Sequence, residues 1–215
     1  GQSMELLAGS VEQALALGVQ HISIYGLQVE EGTVFARQQQ AGTLELPSEE
    51  EAEAMYDYMT AVLPSAGYAR YEISNFARPG FASRHNLSYW QDVPYLGLGA
   101  AAHSYWDDRR LENPAELDAY IACIAAGCPA GRPEEPATRE IRMEEFCFLA
   151  LRTARGIDTA ALAANFGRLI DSVYHRPIAE MKRRGLLAED ESYLRLTPLG
   201  MKYGNIVFEA FLLEP

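Results

Sequence analysis

The chain has 215 residues, of which 48% are hydrophobic and 22% charged, a balance typical of a folded globular protein rather than a disordered one. The net charge of -12 falls on residues 1–137, with 7 basic and 19 acidic side chains, whereas residues 138–215 carry 11 of each. An acidic surface repels phosphate backbones, so nucleic acid is not an expected partner. No apolar run approaches the roughly 20 residues that span a bilayer. The N-terminus also lacks the basic start and apolar stretch of a signal peptide, and we therefore expect a cytoplasmic protein.

In chain order, the first part of the sequence predicts helices that alternate with short strands. The predicted elements up to residue 126 are a helix capped by Ser3 and ending near Leu17, a strand at 21–27, a short helix from Thr33 to about Gln40, a helix to about Ser65 that opens with the capping box of Ser48 and Glu51, strands at 68–73, 95–98 and 102–106, and a helix that starts at Asn113-Pro114. A strand, helix, strand rhythm implies parallel strands covered by helices. The sequence therefore predicts an α/β domain over residues 1–126.

A segment rich in proline and glycine, residues 127–137, is the predicted linker, and the charge balance changes there. Beyond it we predict a helix over 138–152, a short helix capped by Asp158, a third helix to about Arg184, a β-hairpin, and a closing helix that opens at Pro198. Pro177 should bend the third helix or mark a late start. Three helices followed by a two-stranded wing outline a winged-helix-like α+β domain over residues 138–215.

The three cysteines, Cys123, Cys128 and Cys147, do not suggest a disulfide framework. Cys123 and Cys147 lie in apolar helical runs, which favours buried or half-buried thiols. No group of Cys and His has zinc spacing, and the sequence contains neither a P-loop nor a nucleophile motif. Metal-dependent or nucleotide-dependent chemistry is therefore not predicted from these patterns.

The stretch YEISNFARPG (71–80) runs from a predicted strand into a polar loop. Glu72, Ser74, Asn75 and Arg78 would lie at the carboxyl edge of a parallel sheet, which is the usual ligand-binding side of α/β folds. The alternative is a turn in which Asn75 bonds its own backbone and Pro79-Gly80 reverses the chain. The spacing leaves both interpretations open.

The stretch RHNLSYW (84–90) places one of four histidines beside an arginine, an asparagine and two aromatic residues. The imidazole of His85 could ligate iron, and the rings of Tyr89 and Trp90 could form walls for a macrocycle. Asn86 could orient the imidazole, and Arg84 could pair with a carboxylate. The alternative is a hydrogen-bonded histidine packed among aromatic residues.

The stretch YLGLGAAAHSYW (95–106) alternates Gly97 and Gly99 with apolar residues, which permits a close approach of backbone or ligand. It is not a GxGxxG motif that leads into a helix, so a dinucleotide site is not predicted. His103 is expected to be a strand residue. The alternative is that its side chain binds a ligand.

Taken together, HISIYGLQVEEGTVFA, YEISNFARPG, RHNLSYW and YLGLGAAAHS resemble, in order and spacing, the radical SAM proteins related to oxygen-independent coproporphyrinogen III oxidase. The match is with the haem-chaperone (HemW) branch, whose members carry an HNxxYW motif. The resemblance covers nearly the whole chain. It implies the C-terminal part of a (β/α)6 radical SAM barrel, followed by the winged-helix-like domain.

Members of that family begin with barrel strands that carry a CxxxCxxC motif, whose thiolates hold a [4Fe–4S] cluster that binds S-adenosylmethionine (SAM). The present sequence has no such motif, and Gly1-Gln2 resembles the end of a GLPGQT turn that follows a middle barrel strand. The resemblance therefore implies the C-terminal part of a longer protein. We expect this polypeptide alone neither to bind the cluster nor to cleave SAM.

The resemblance also implies roles for individual residues. His85 matches the histidine of HNxxYW that is implicated in haem binding, with Arg84, Asn86, Tyr89 and Trp90 around it. Two further sites match SAM contacts of the oxidase, and they would be partial here: Gln28, and the backbone around Ala102 and His103.

Two functions follow from the resemblance. The first is haem binding for delivery to haem-acceptor proteins, and the alternative is a coproporphyrinogen III dehydrogenase of porphyrin biosynthesis. A third hypothesis, from residues alone, is DNA binding by the third helix and wing of the C-terminal domain, through Arg176, Lys182, Arg183, Arg184 and Arg195. A solvated helix end is the simpler account of these charges.

The absence of early barrel strands would leave the strand at 21–27 with an unpaired edge and its helices with exposed apolar faces. We therefore expect the chain to cover that surface by self-association.

Overall fold

The computed structural model describes residues 1–127, 131–133, 137–190 and 192–212, and it forms two compact units, Gly1–Ser83 and Arg84–Pro215. Both units combine helices with small sheets, which confirms the predicted α/β class. Part of the predicted linker, residues 128–130 and 134–136, lies outside the described residues. The domain assignment over 1–126, 127–137 and 138–215 stays a prediction. Within the described ranges, no helix is long and apolar enough to cross a membrane.

The first unit contains three helices and one three-stranded sheet. Its elements are α1 (Met4–Ala16), β1 (His21–Ser23), α2 (Val34–Gln40), α3 (Glu49–Ser65), β2 (Ala69–Arg70) and β3 (Asn75–Ala77). The predicted caps are confirmed, because the hydroxyls of Ser3, Thr33 and Ser48 each accept a hydrogen bond from a backbone N–H three residues on. Glu51 completes the capping box by accepting the backbone N–H of Ser48 at 2.8 Å.

The sheet of the first unit differs from the predicted one in its strand pairing. The order is β1-β3-β2, and β3 pairs antiparallel with both neighbours, so that Ala77 lies opposite both His21 and Ala69. β1 and β2 therefore run in the same direction but do not pair, and the expectation of parallel pairing was wrong. The physical reason is that the chain reverses after β2, so that β3 fills the space between the two strands.

The two faces of this sheet have different chemistry. Phe76 is fully buried and packs with Leu63 and Tyr68, and Ile22 of β1 contacts the same cluster. Since successive strand residues alternate between faces, the His21 side chain projects to the opposite face. A second cluster of Leu7, Val11 and Met55 joins α1 to α3. The helices therefore cover one face of the sheet, and polar side chains line the other.

The second unit begins with the RHNLSYW segment and contains seven helices among its described residues. Its elements are α4 (Arg84–Trp90), β4 (His103–Trp106), β5 (Arg109–Glu112), α5 (Leu117–Ala125), β6 (Arg132–Pro133), α6 (Arg139–Leu151), β7 (Ile157–Asp158), α7 (Thr159–Phe166), α8 (Ile170–Arg183), β8 (Leu187–Glu189), β9 (Tyr193–Leu196), α9 (Pro198–Lys202) and α10 (Gly204–Ala210). The strands form two sheets, ordered β4-β5-β6 and β7-β9-β8, and every pairing is antiparallel.

The hairpin of β4 and β5 was only half predicted, because β5 carries three charged residues in RRLE. Its turn consists of Asp107 and Asp108, both with positive φ (52° and 56°), which is the conformation that tight hairpins require. The predicted strand at 95–98 is reduced to one bridge between Tyr95 and Tyr105.

The helix expected to start at Asn113-Pro114 begins instead at Leu117, and Glu116 occupies the cap position without a side-chain hydrogen bond. Asn113 does not cap it, because its side chain is buried and its amide donates to the carbonyls of Gly97 (3.2 Å) and Gly99 (2.8 Å). A buried amide must find partners, and the nearby loop carbonyls provide them.

The C-terminal half of the second unit follows the predicted element order. Asp158 caps α7 as expected, and α6, predicted over 138–152, is capped by Thr138. The bend predicted from Pro177 is confirmed, since Tyr174 in α8 has non-helical angles (φ -113°, ψ 16°). The predicted closing helix is divided at Tyr203 into α9 and α10.

We predict that Asp158→Ala lowers the free energy of unfolding by about 1–2 kcal/mol, the usual loss for an N-cap. The Asp158 carboxylate accepts the N–H groups of Ala160 and Ala161, and the Tyr193 hydroxyl donates to it at 3.2 Å. Urea denaturation followed by circular dichroism measures the loss. Asp171→Ala, in the first turn of α8, is the control and should change stability by less.

The same residue should give a pH dependence. Hydrogen bonds from the backbone, first that of Ala161, hold the pKa of Asp158 below its ordinary value. Because the folded-state pKa is the lower one, the stabilisation is present above the unfolded pKa of about 3.9 and is lost as the pH falls through the folded pKa. An equal difference between wild type and Asp158→Ala at pH 7 and pH 2 would contradict this account.

We also predict that Gly97→Ala destabilises the second unit by roughly 1–3 kcal/mol, because a Cβ atom there would lie 2.1 Å from the carbonyl oxygen of His103. Backbone atoms cannot rotate away as a flexible side chain can. Gly26→Ala is the control, since no heavy atom lies within 4 Å of its added Cβ. Thermal unfolding of both variants tests the difference.

Candidate functional site

The RHNLSYW segment forms helix α4, a seven-residue helix that the sequence analysis did not predict. His85 lies in its first turn and is exposed, and its imidazole forms no hydrogen bond with any part of the chain that the structure describes. The ring of Tyr89, one turn further on, meets the imidazole edge to face, with centroids 4.9 Å apart and an interplanar angle of 85°. This places an accessible imidazole on a fixed aromatic support.

Tyr89 is held from its other side by Tyr95. The two ring centroids lie 4.6 Å apart at 76°, again in an edge-to-face arrangement. Tyr95 is joined to Tyr105 of β4 by two backbone hydrogen bonds of 2.7 and 2.9 Å. A continuous series of contacts therefore runs from His85 through two tyrosine rings to the β4–β5 hairpin.

Trp90 ends the helix and is half-buried. The guanidinium of Arg152 in α6 lies over its ring, 4.6 Å from the centroid, which is within the distance for a cation–π interaction. The indole Nε1–H is buried and has no hydrogen-bond partner among the described residues. Arg84, at the start of the helix, is exposed, and Asn86 is half-buried.

The end of α4 is bound to α6 by an ion cluster that the sequence did not indicate. Nη2 of Arg142 lies 2.9 Å from Oδ2 of Asp92 and 3.5 Å from Oδ1 of Asp108, and it also donates to the hydroxyl of Tyr105. Nη1 lies 3.2 Å from Oε2 of Glu145. We call these five residues the Arg142 cluster.

Burial changes the acidity of two members of this cluster. It raises the pKa of Tyr105 to about 12, with the hydrogen bond to Asp108 as the second cause. Burial also raises the pKa of Asp92 above its ordinary value, although the charge of Arg142 opposes this. The hydroxyl of Tyr105 therefore remains protonated and available as a donor at neutral pH.

The YLGLGAAAHS loop is fixed by hydrogen bonds around Asn113. Besides the two bonds of its amide, the backbone N–H of Asn113 donates to the carbonyl of Ala102 at 2.9 Å. Ser104 accepts the N–H of Gly97, and the hydroxyl of Tyr120 accepts the N–H of Gly99. Sequence reasoning missed Asn113 as a site residue, because the pair Asn113-Pro114 suggested a helix cap.

The predicted SAM contacts are divided between the two units. Gln28 follows β1 in the first unit and is exposed, whereas Ala102 and His103 belong to the second unit, where His103 begins β4. Their roles stay a prediction.

The YEISNFARPG segment is a turn followed by a strand. Oε1 of the buried Glu72 accepts the N–H of Ser74 at 2.7 Å, and Asn75, also buried, accepts the hydroxyl of Ser23. The Tyr71 hydroxyl lies 2.8 Å from Nε2 of His21. The polar face of the sheet, opposite Phe76, is therefore internally hydrogen-bonded. Of the turn interpretation, the reversal at Pro79-Gly80 is present, since the N–H of Phe81 donates to the carbonyl of Arg78 at 3.0 Å, but Asn75 lies in β3 and its side chain bonds Ser23 rather than its own backbone.

Neither described cysteine suggests reactive or metal-binding chemistry. Cys147 is fully buried, and burial raises the pKa of its thiol to about 12, while Cys123 is half-buried. Cys128 lies outside the described residues. In the same described ranges, no three His, Cys, Asp or Glu side chains are grouped as a metal site.

Comparison with known proteins gives three concordant results. Residues 137–203 match the family model described as the HemN C-terminal domain. The chain is 38% identical over 214 residues to the haem chaperone HemW of Bacillus subtilis and 36% identical to that of Lactococcus lactis, covering 100% of this chain and 56% of each relative. Among solved structures it is similar to the radical SAM enzyme coproporphyrinogen III oxidase (HemN) of Escherichia coli, with a TM-score of 0.77, 19% identity, and coverage of 98% of this chain and 52% of that one.

The chain thus spans a little more than half the length of the curated relatives that it matches. The structural similarity, at 19% identity, concerns the fold alone. The sequence similarity extends over the whole chain, and it therefore includes the segments YEISNFARPG, RHNLSYW and YLGLGAAAHS. The chain belongs to the radical SAM family of proteins related to oxygen-independent coproporphyrinogen III oxidase, on the branch of the haem chaperone HemW.

Proposed function

We propose that the protein binds haem as its cargo and passes it to haem-acceptor proteins, with His85 as a ligand of the haem iron. The observation that carries the proposal is the exposed imidazole of His85 on α4, whose ring nitrogens have no hydrogen-bond partner among the described residues. Iron ligation requires an accessible, unprotonated ring nitrogen. The two relatives named above are described as haem chaperones, which supports the same assignment.

The neighbours of His85 fit a ligand that is both flat and anionic. Tyr89 presents a supported aromatic ring next to the imidazole. Arg84 is exposed at the start of the helix and can pair with a propionate. The buried Nε1–H of Trp90 has no acceptor in the described part of the chain, and a carboxylate of the ligand would supply one. Asn86 completes the set proposed for haem binding.

We expect His85→Ala to weaken haem binding by about tenfold or more, because loss of an iron ligand removes a strong directional bond. Titration followed by the Soret band measures both the affinity and the ligation state. His175→Ala is the matched control, since His175 is exposed in the same unit on α8. Unchanged affinity and an unchanged spectrum in His85→Ala would contradict the assignment.

A second candidate function is the oxidative decarboxylation of coproporphyrinogen III, which the fold similarity to the Escherichia coli oxidase favours. In either case the longer protein would hold a [4Fe–4S] cluster and SAM, and Gln28, Ala102 and His103 are each proposed as a SAM contact. Conversion of coproporphyrinogen by the full-length protein would favour the enzyme, and haem transfer without conversion would favour the chaperone.

We assign the finer architecture in the same way. The order of helix, strand, two helices and hairpin from α6 to β9, with β7 added beside β9, supports a winged-helix-like domain over 138–215. Residues 1–126 would supply the C-terminal part of a (β/α)6 barrel. The cytoplasmic location stays a prediction.

We also propose that β1 allows a second copy of the chain to dock. In the part of the chain that the structure describes, β1 pairs only with β3 and leaves its other edge open, and Tyr25 and Leu27 beyond it are 73% and 60% exposed. Light scattering should therefore show a mass that rises above one chain with concentration. Leu27→Lys should reduce the association, and Gln40→Lys should not. A single-chain mass throughout would count against the proposal.

A further inference from the structure

We propose that Arg142 is a positioning residue for the His85 imidazole, acting from α6 on both the backbone and the aromatic support of α4. The inference gains its functional meaning from the proposed haem role of His85, on which it rests. Its structural content can be measured in the ligand-free protein.

The first route is the C-terminal cap of α4. Asp92 adopts the left-handed conformation (φ 55°), its N–H donates to the carbonyl of Tyr89 at 3.1 Å, and the N–H of Val93 donates to that of Ser88 at 2.9 Å. This pair of bonds is the Schellman arrangement, in which glycine usually occupies the left-handed position. An aspartate tolerates that conformation less well than glycine, so an interaction of its side chain must favour it here.

Arg142 provides that interaction. Its guanidinium lies 2.9 Å from the Asp92 carboxylate, and both side chains are only 19% exposed. Shielding from water makes a charged hydrogen bond of this kind stronger than a surface ion pair. The cap of α4, and with it the end of the helix that carries Tyr89, is therefore held by a residue 50 positions further along the chain.

The second route is the aromatic support. Arg142 donates to the Tyr105 hydroxyl and lies 4.8 Å from the Tyr105 ring centroid. Tyr105 pairs through its backbone with Tyr95, whose ring packs against Tyr89. One guanidinium thus fixes the end of the helix and the ring beside Tyr89, and the imidazole of His85 rests on that same tyrosine.

Arginine is the residue suited to this task. Its planar fork can donate to several acceptors at once, and here it meets Asp92 and Glu145 through two different nitrogens. The opposing carboxylate of Glu145 also pairs with Arg110 of β5 at 3.3 Å. A lysine at position 142 would keep the charge but would not reproduce this geometry.

The experiment uses histidine ring proton signals in NMR spectra of the ligand-free chain. Only four histidines occur, and the His85 signal is identified by its loss in His85→Ala. Its chemical shift reports the edge-on Tyr89 ring. We expect that shift to move towards the value of a free histidine in the double variant Asp92→Asn with Arg142→Met. This variant removes the guanidinium and leaves no unpaired buried carboxylate at position 92.

Two variants serve as controls. Asp92→Asn should retain the wild-type His85 shift, because asparagine tolerates the left-handed conformation and still accepts a hydrogen bond from Arg142. Arg139→Met removes a charge from the same helix at an exposed position that forms no ion pair within the described ranges. It should leave the His85 shift unchanged. The signals of His103 and His175 show whether each variant is folded.

Haem titration of the same variants completes the test, with an expected loss of about tenfold for the double variant, within the range of couplings inside one hydrogen-bond network. If His85→Ala binds haem normally, the proposed function fails, while the ligand-free shifts still decide the role of Arg142. An unchanged His85 shift in the folded double variant would overturn the inference. If the double variant does not fold, Arg142→Lys decides in its place, since it keeps the charge without the planar fork, and an unchanged His85 shift there has the same meaning.

Discussion

A guanidinium withdrawn from water must recover its hydrogen bonds from the protein, and the way Arg142 does so organises the second unit. Its acceptors come from three separate places, namely the residue that caps α4, the β4–β5 hairpin, and the next turn of its own helix. Removing any one of these would leave a half-buried charge incompletely paired. The helix that carries His85 is therefore positioned by an electrostatic requirement of another helix, rather than by its own seven residues.

The same division between support and chemistry occurs in the first unit, where the sheet has one face for packing and one for polar contacts. Phe76 and Ile22 bury their side chains against helices, whereas His21, Ser23 and Asn75 form hydrogen bonds on the other face. The alternation of strand side chains produces this division without any special residue. In both units the polar groups rest on a packed layer that holds them in place.

The sequence anticipated the features that depend on neighbouring residues and missed those that depend on residues far apart in the chain. The caps of Ser3, Thr33, Ser48 and Asp158 were predicted and confirmed, because a cap is made by residues within three positions of each other. The antiparallel order β1-β3-β2 was not, because it depends on which of several strands fills a gap far along the chain. Asn113 resembled a helix cap, but its side chain donates to the carbonyls of Gly97 and Gly99, which lie 16 and 14 residues earlier in the chain.

The sequence by itself determined the starts of α1, α2, α3, α6 and α7, the C-terminal hairpin and the family, since each rests on local spacing or on motifs that keep their order along the chain. The sequence also identified His85 as the candidate ligand, but by its match to the HNxxYW motif and not by a physical argument. Only the tertiary structure decided that RHNLSYW is a helix, that Tyr89 supports the imidazole, and that Arg142 binds the carboxylate of Asp92 at the end of that helix. These depend on contacts between distant residues, whose energies arise from burial and pairing that no local pattern records.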